Sequence, residues 1–112
     1  IRSMTPAESS AQVAERVMKA RRIQQARYEG TGIHCNARLD NRGIRQFCPM
    51  RPEAETLLHM AVDRMHLSMR AYNRVIKVAR TLADLRDANE IGLVDVAEAI
   101  QYRELDGKYW GK

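Results

Sequence analysis

The stretch "HLSMRAYNRVIKVARTLADL", residues 66–85, decides the fold. Ala71, Tyr72, Val75, Ile76, Ala79, Leu82 and Ala83 recur at three- and four-residue spacing, so a helix here buries one broad apolar stripe. Ser68 is placed to cap it, its hydroxyl accepting from an otherwise unpaired first-turn amide. This helix runs to about Leu85 and forms the centre of the core. Its polar side poses a question. Arg70, Arg74 and Lys77 stand at i, i+4 and i+7 on one face, although positive charge near a helix N-terminus opposes the helix dipole. An anionic partner would justify the arrangement, because a phosphate there meets oriented amides and a guanidinium fork together. An arginine laid along its own helix, or paired with an acid such as Asp84 or Glu53, is the competing explanation.

Four further helices are predicted around this one. Ser9 and Gln12 match a capping box, and Val13, Val17, Ala20 and Ile23 carry a helical period from about Ser10 to Tyr28. Arg16, Lys19, Arg22 and Arg27 form a basic stripe on that helix, read either as a solvated surface or as a phosphate-contacting face. "YEGTGIHCNARLDNRG", residues 28–43, is a connecting loop, and Asp40 caps a short helix from Asn41 to Cys48 that Gly43 weakens. Pro52 opens a helix to Met65, with Glu53 and Glu55 suiting its positive end and Leu57, Leu58, Ala61 and Met65 facing inward. Val96, Ala97 and Ile100 define a fifth helix from about Val94 to Glu104, ended by Asp106-Gly107. The expected organisation is a linker over residues 1–8, one helical domain over 9–106 and a tail over 107–112. The fold class is all-α, a small bundle of four to five helices.

Composition agrees. The 112 residues suit one domain, and 45% hydrophobic with 29% charged residues leaves a real core inside a wet surface. Nineteen Lys and Arg against 14 Asp and Glu give +5, which favours anionic partners. Four Tyr, one Phe and one Trp are too few for a stacking platform, so any nucleic-acid contact would run through phosphates. Cys35 and Cys48 lack a CxxC pattern and read as reduced intracellular thiols, with Cys48 a small buried apolar residue; a single disulfide is also compatible with the spacing. No apolar run approaches the roughly 18 residues of a membrane span, and the first residues do not show a charged start followed by an apolar segment, so the expected compartment is the cytoplasm. The natural chain is expected to continue upstream of Ile1.

Several chemistries lack their motifs. There is no GxxxxGK[ST] loop, "GTG" at 30–32 does not continue into a dinucleotide pattern, and no GxSxG elbow occurs. His59, Asp63 and His66 share a face at i, i+4 and i+7, but without an HExxH context a solvated face explains them better and no metal site is expected.

"ESSAQVAERVMKARRIQQARY", "NARL" at 36–39, "LSMRAYNRVIKVARTLADL" and "VAEAIQYR" at 96–103, in this order, resemble the C-terminal domain of magnesium-chelatase-like AAA+ ATPases of the ComM/YifB group. The resemblance spans about Thr5 to Leu105. It implies a helical lid following an α/β domain that carries the Walker motifs, in a protein that assembles as a ring, expected to be a hexamer. In such lids an arginine early in a central helix, called sensor 2, reaches the γ-phosphate of ATP. The matching residue is Arg70, with Arg74 a second candidate. ATP and Mg²⁺ are then cofactors of the intact protein and not of this segment alone, which is not expected to be catalytic by itself. The resemblance further implies DNA as a partner, in the manner of a branch-migration helicase. The alternative reading is an autonomous basic helical DNA-binding module using Arg16, Lys19, Arg22 and Arg27. A helical interaction domain without a ligand is a third.

Overall fold

Helix starts follow the local capping chemistry. Ser9 Oγ accepts from Gln12 N at 3.1 Å while Gln12 Oε1 accepts from Ser9 N at 2.9 Å, a complete capping box for α1, Ser10–Arg27. Asp40 Oδ1 accepts from Gly43 N at 2.8 Å to start α2, Asn41–Phe47. Pro52 occupies the first turn of α3, Pro52–Met65, with Glu53 and Glu55 beside it. Ser68 Oγ accepts from Ala71 N at 3.1 Å at the head of α4, Met69–Leu85. The last helix, α5, spans Leu93–Trp110.

This computed structural model describes residues 9–110, with side chains through residue 102. The expected linker at 1–8 and the last two residues of the tail lie outside the described residues. Among the described residues there is no strand, and the one β-type contact is a parallel bridge between Met50 and Ile91. The all-α fold is therefore as expected. Two elements differ from expectation. A single 3-10 turn, η1, forms at Asn36–Arg38 inside the glycine-marked loop. Helix α5 passes through Asp106 and Gly107 to Trp110 instead of ending near Glu104, because one interior glycine costs only about 1 kcal/mol and does not by itself terminate an established helix.

The α3–α4 and α4–α5 connections turn on left-handed residues. His66 has φ 53°, and Leu67 N donates to Val62 O at 3.3 Å. Asp87 has φ 62°, with Asp87 N donating to Asp84 O at 3.0 Å and Ala88 N to Ala83 O at 2.8 Å, the paired bonds of a Schellman ending.

Packing centres on α4. Val75, Ile76, Ala79 and Ala83 share one buried cluster with Ala54 and Leu58 of α3, Val96 and Ala99 of α5, and Tyr28, Leu39 and Ile44. Tyr28 and Phe47 make an edge-to-face contact, ring centroids 5.0 Å apart. Tyr72 and Leu82 are only half-buried at the margin of this cluster. Helix α1 buries far less than its period suggests: Ala20 is its one buried residue and Val13 is 41% exposed. Its docking must rest on other contacts.

Gly43 illustrates packing overriding propensity. A Cβ there would sit 2.8 Å from Leu39 Cδ2 and 3.3 Å from Asp40 Oδ1, and Leu39 is itself buried. We expect Gly43→Ala to destabilise the domain by about 1–3 kcal/mol despite alanine's better helix propensity, read as a lower denaturant midpoint at constant m.

Candidate functional site

Arg70, Arg74 and Lys77 line one groove of about 900 Å³ on the outside of α4. The facing wall is the η1–α2 junction, contributed by Ala37, Leu39, Asp40 and Asn41, with Val78, Thr81 and Leu82 lower on α4 and Tyr102 of α5 completing the lining. Side-chain bonds hold the walls together: Lys77 Nζ donates to Ala37 O at 3.3 Å, and Asn73 Nδ2 donates to Asn41 Oδ1. Arg70 and Arg74 are exposed, and Lys77 is half-buried. Among the described residues, three lining cations thus face a single carboxylate, Asp40, which already caps α2. The described lining contains no histidine or cysteine. The groove is suited to holding a multiply charged anion.

A second polar assembly lies beneath this groove. The Asp84 side chain is fully buried, and Arg27 grips it with two hydrogen bonds, Nη1 to Oδ2 at 2.9 Å and Nη2 to Oδ1 at 2.6 Å. Arg80, 1% exposed, forms an ion pair with Asp84, Nη2 to Oδ1 at 3.1 Å, and donates hydrogen bonds to the carbonyls of Ala88 and Asn89 at 2.8 and 3.0 Å. Hydrogen bonding to Asp84 holds the Arg27 guanidinium above its ordinary pKa, while burial pushes that of Arg80 below its own. Asn36 joins them, donating Nδ2 to Asp84 Oδ2 at 2.9 Å and accepting from Arg27 Nη1 and the Tyr28 hydroxyl. The sequence reading missed Arg80 and Asp84 as a core pair. Their signal was present: Tyr72, Ile76, Arg80 and Asp84 are one i+4 row, so opposite charges interrupt an otherwise apolar line.

The basic stripe of α1 divides. Arg16 and Arg22 are exposed, Lys19 pairs with Asp87 at 2.9 Å, and Arg27 turns inward to Asp84. Arg27, read from the sequence as part of a phosphate-contacting stripe, has its guanidinium on a buried carboxylate in this structure. Asp84, one of the acids considered for the groove arginines, is bonded to Arg27 and paired with Arg80. His59, Asp63 and His66 are all exposed, and the left-handed turn at His66 takes that residue off the α3 face. Among the described residues, no group of three His, Cys, Asp or Glu is placed to hold a metal. No helix of the described residues is long and apolar enough to cross a membrane.

These features describe a small helical domain with one basic groove and an ion-paired interior. Residues 7–103 match the family described as magnesium chelatase, subunit ChlI C-terminal, and the chain belongs to that family. It is 40% identical over 105 residues to the uncharacterized protein YifB of Escherichia coli K12, covering 94% of this chain and 20% of that protein. It is 39% identical over 98 residues to competence protein ComM of Haemophilus influenzae, covering 88% of this chain and 18% of that protein. An uncharacterized Mycobacterium tuberculosis H37Rv protein is 34% identical over 104 residues, covering 91% of this chain and 20% of that protein. The chain spans about a fifth of the length of these relatives.

The buried groups lead to two expected outcomes. Asp84→Ala leaves Arg80 enclosed without its counter-charge and should cost about 3–5 kcal/mol in denaturant unfolding, clearly more than Arg27→Ala, which leaves the Arg80–Asp84 pair intact. Burial raises the Cys48 thiol from 9.0 to about 11. Because the folded value lies above the unfolded one, this stabilisation is complete below pH 9 and is lost as pH rises toward about 11. Cys48→Ala should flatten that part of the stability–pH profile.

Proposed function

We propose that this domain is the helical lid of a magnesium-chelatase-like AAA+ ATPase, with Arg70 as the sensor 2 arginine and Arg74 as its second cation. The observation that carries the reading is the convergence of Arg70, Arg74 and Lys77 on one groove beside the capped N-terminus of α4. Family membership and the ComM and YifB relatives support it. On this reading the nucleotide is held by an upstream α/β domain and the lid closes over its phosphates.

The groove's described residues fit a phosphate group: three cations and one carboxylate, with fork-shaped donors among them. Among the described residues the lining offers Mg²⁺ a single carboxylate, Asp40, so on this reading metal ligands would come from the upstream domain. Bound ATP would supply the phosphoryl bond whose hydrolysis powers the protein. Arg70 would neutralise charge on the terminal phosphate as that bond breaks, and loss of the phosphate would release the guanidinium. The lid would then be free to rotate. Assembly as a homo-oligomeric ring, expected to be a hexamer, and action on DNA in the cytoplasm belong to the same proposal. An autonomous DNA-binding role for α1 is the weaker reading, because Arg27 and Lys19 are engaged by Asp84 and Asp87.

The test is steady-state ATP turnover of the full-length protein, with and without DNA. Arg70→Ala should lower turnover at least about tenfold while circular dichroism remains that of the parent. Unchanged turnover and unchanged nucleotide-dependent assembly would remove Arg70 from this role.

A further inference from the structure

Asn36 is 2% exposed, and each polar atom of its side chain is used twice. Oδ1 accepts from Arg27 Nη1 at 3.2 Å and from the Tyr28 hydroxyl. Nδ2 donates to Asp84 Oδ2 at 2.9 Å and to Thr81 Oγ1 at 3.0 Å. Its backbone N donates to Gln24 Oε1 at 3.2 Å. One amide thus ties the end of α1 and the C-terminal part of α4 to the first residue of η1. Aspartate could not replace it, since a carboxylate has no N–H to offer Asp84 and would set a second charge against it.

Immediately after Asn36 the chain becomes the groove wall. Ala37 supplies the carbonyl that receives Lys77 Nζ, and Leu39 and Asp40 line the face opposite Arg70 and Arg74. Thr81, the Asn36 partner on α4, also lines the groove and returns its hydroxyl to Lys77 O at 3.1 Å. Lys77 is therefore bracketed: its Nζ is bonded to the residue after Asn36, and its carbonyl to the residue that receives Asn36 Nδ2.

We propose that Asn36 is a positioning residue for the basic groove, setting the η1 wall and Lys77 against Arg70 and Arg74 without touching the anion. The proposal rests on the lid reading above. A groove wall displaced by an ångström weakens the match between its cations and a polyphosphate even when every cation is still present. The effect falls on nucleotide affinity first, because no reacting atom is near Asn36.

The experiment measures KM for ATP and kcat of the full-length protein for the parent, Asn36→Ala, Thr81→Val and Arg70→Ala, each checked for folding by circular dichroism at the assay temperature. Asn36→Ala should raise KM about tenfold, with kcat changed by less than about threefold; Thr81→Val, which removes the Asn36–Thr81–Lys77 connection and leaves the Asn36–Asp84 bond in place, should raise KM about threefold. A folded Asn36→Ala protein with parental KM overturns the proposal and leaves Asn36 a purely structural amide. If Asn36→Ala does not fold, Thr81→Val decides: a parental KM there overturns it equally. If Arg70→Ala has parental turnover, the lid reading fails, and the positioning role falls with it.

Discussion

A single carboxylate, Asp84, holds three parts of this domain in register. Its oxygens receive Arg27 from α1, Arg80 from its own helix and Asn36 from the η1 turn, and the carboxylate, Arg80 and Asn36 are buried while Arg27 is partly so. Removing an ionised carboxylate from water is costly, and only close, hydrogen-bonded counter-charges offset it. The consequence is geometric more than energetic. Helix α1 buries little apolar surface of its own, so nothing in its hydrophobic pattern fixes how it lies on α4. The fork of Arg27 does, since two parallel bonds to one carboxylate tolerate little rotation or sliding. Arg80, in turn, binds the Ala88 and Asn89 carbonyls and sets the path by which the chain leaves α4.

Arg86 and Asp95 repeat the device at the next joint. Arg86 Nε and Nη2 meet Asp95 at 2.9 and 2.6 Å, while Asp95 Oδ2 also accepts from Gly92 N at 2.8 Å. One side chain therefore starts α5 and anchors it to the end of α4. The basic residues of this region are sorted by position as a result. Arg80 and Arg86 pair with carboxylates that the fold has buried, and Arg70, Arg74 and Lys77 line the groove.

Helix α4 was legible in the sequence because every local rule agreed: a serine cap, a wide apolar stripe and a length of several turns. Helices α1 and α2 were legible through their caps, and α3 through Pro52 at its first position and the acids that follow. The placing of Arg70, Arg74 and Lys77 along one groove also followed from spacing alone, since residues four and seven apart share a helical face. Asn36 and Arg27 were not legible in the same way. Their roles depend on a long-range partner, Asp84, 48 and 57 residues away, and no period links them. Arg27 also shows why a helical stripe of like charges is a weak pattern: a helix that docks obliquely turns its last residue toward the core while the earlier ones stay in solvent.

The distribution of restraints along α4 bears on how a domain of this kind would respond to force at the groove. Its C-terminal half is clamped by Arg27, Arg80 and Arg86, and its N-terminal half carries the exposed arginines. A helix resists axial strain through its continuous hydrogen-bond ladder, so a pull on Arg70 passes along α4 before it can unwind any one turn. At the far end the load meets ion pairs that are short, buried on their acidic side and shared with α1 and α5. Packed elements joined in this way shift together, because a close-packed interior transmits strain instead of absorbing it. Charge gained or lost at Arg70 would accordingly move the domain as a body. In a lid, that is the difference between a side chain that merely relaxes and a domain that rotates.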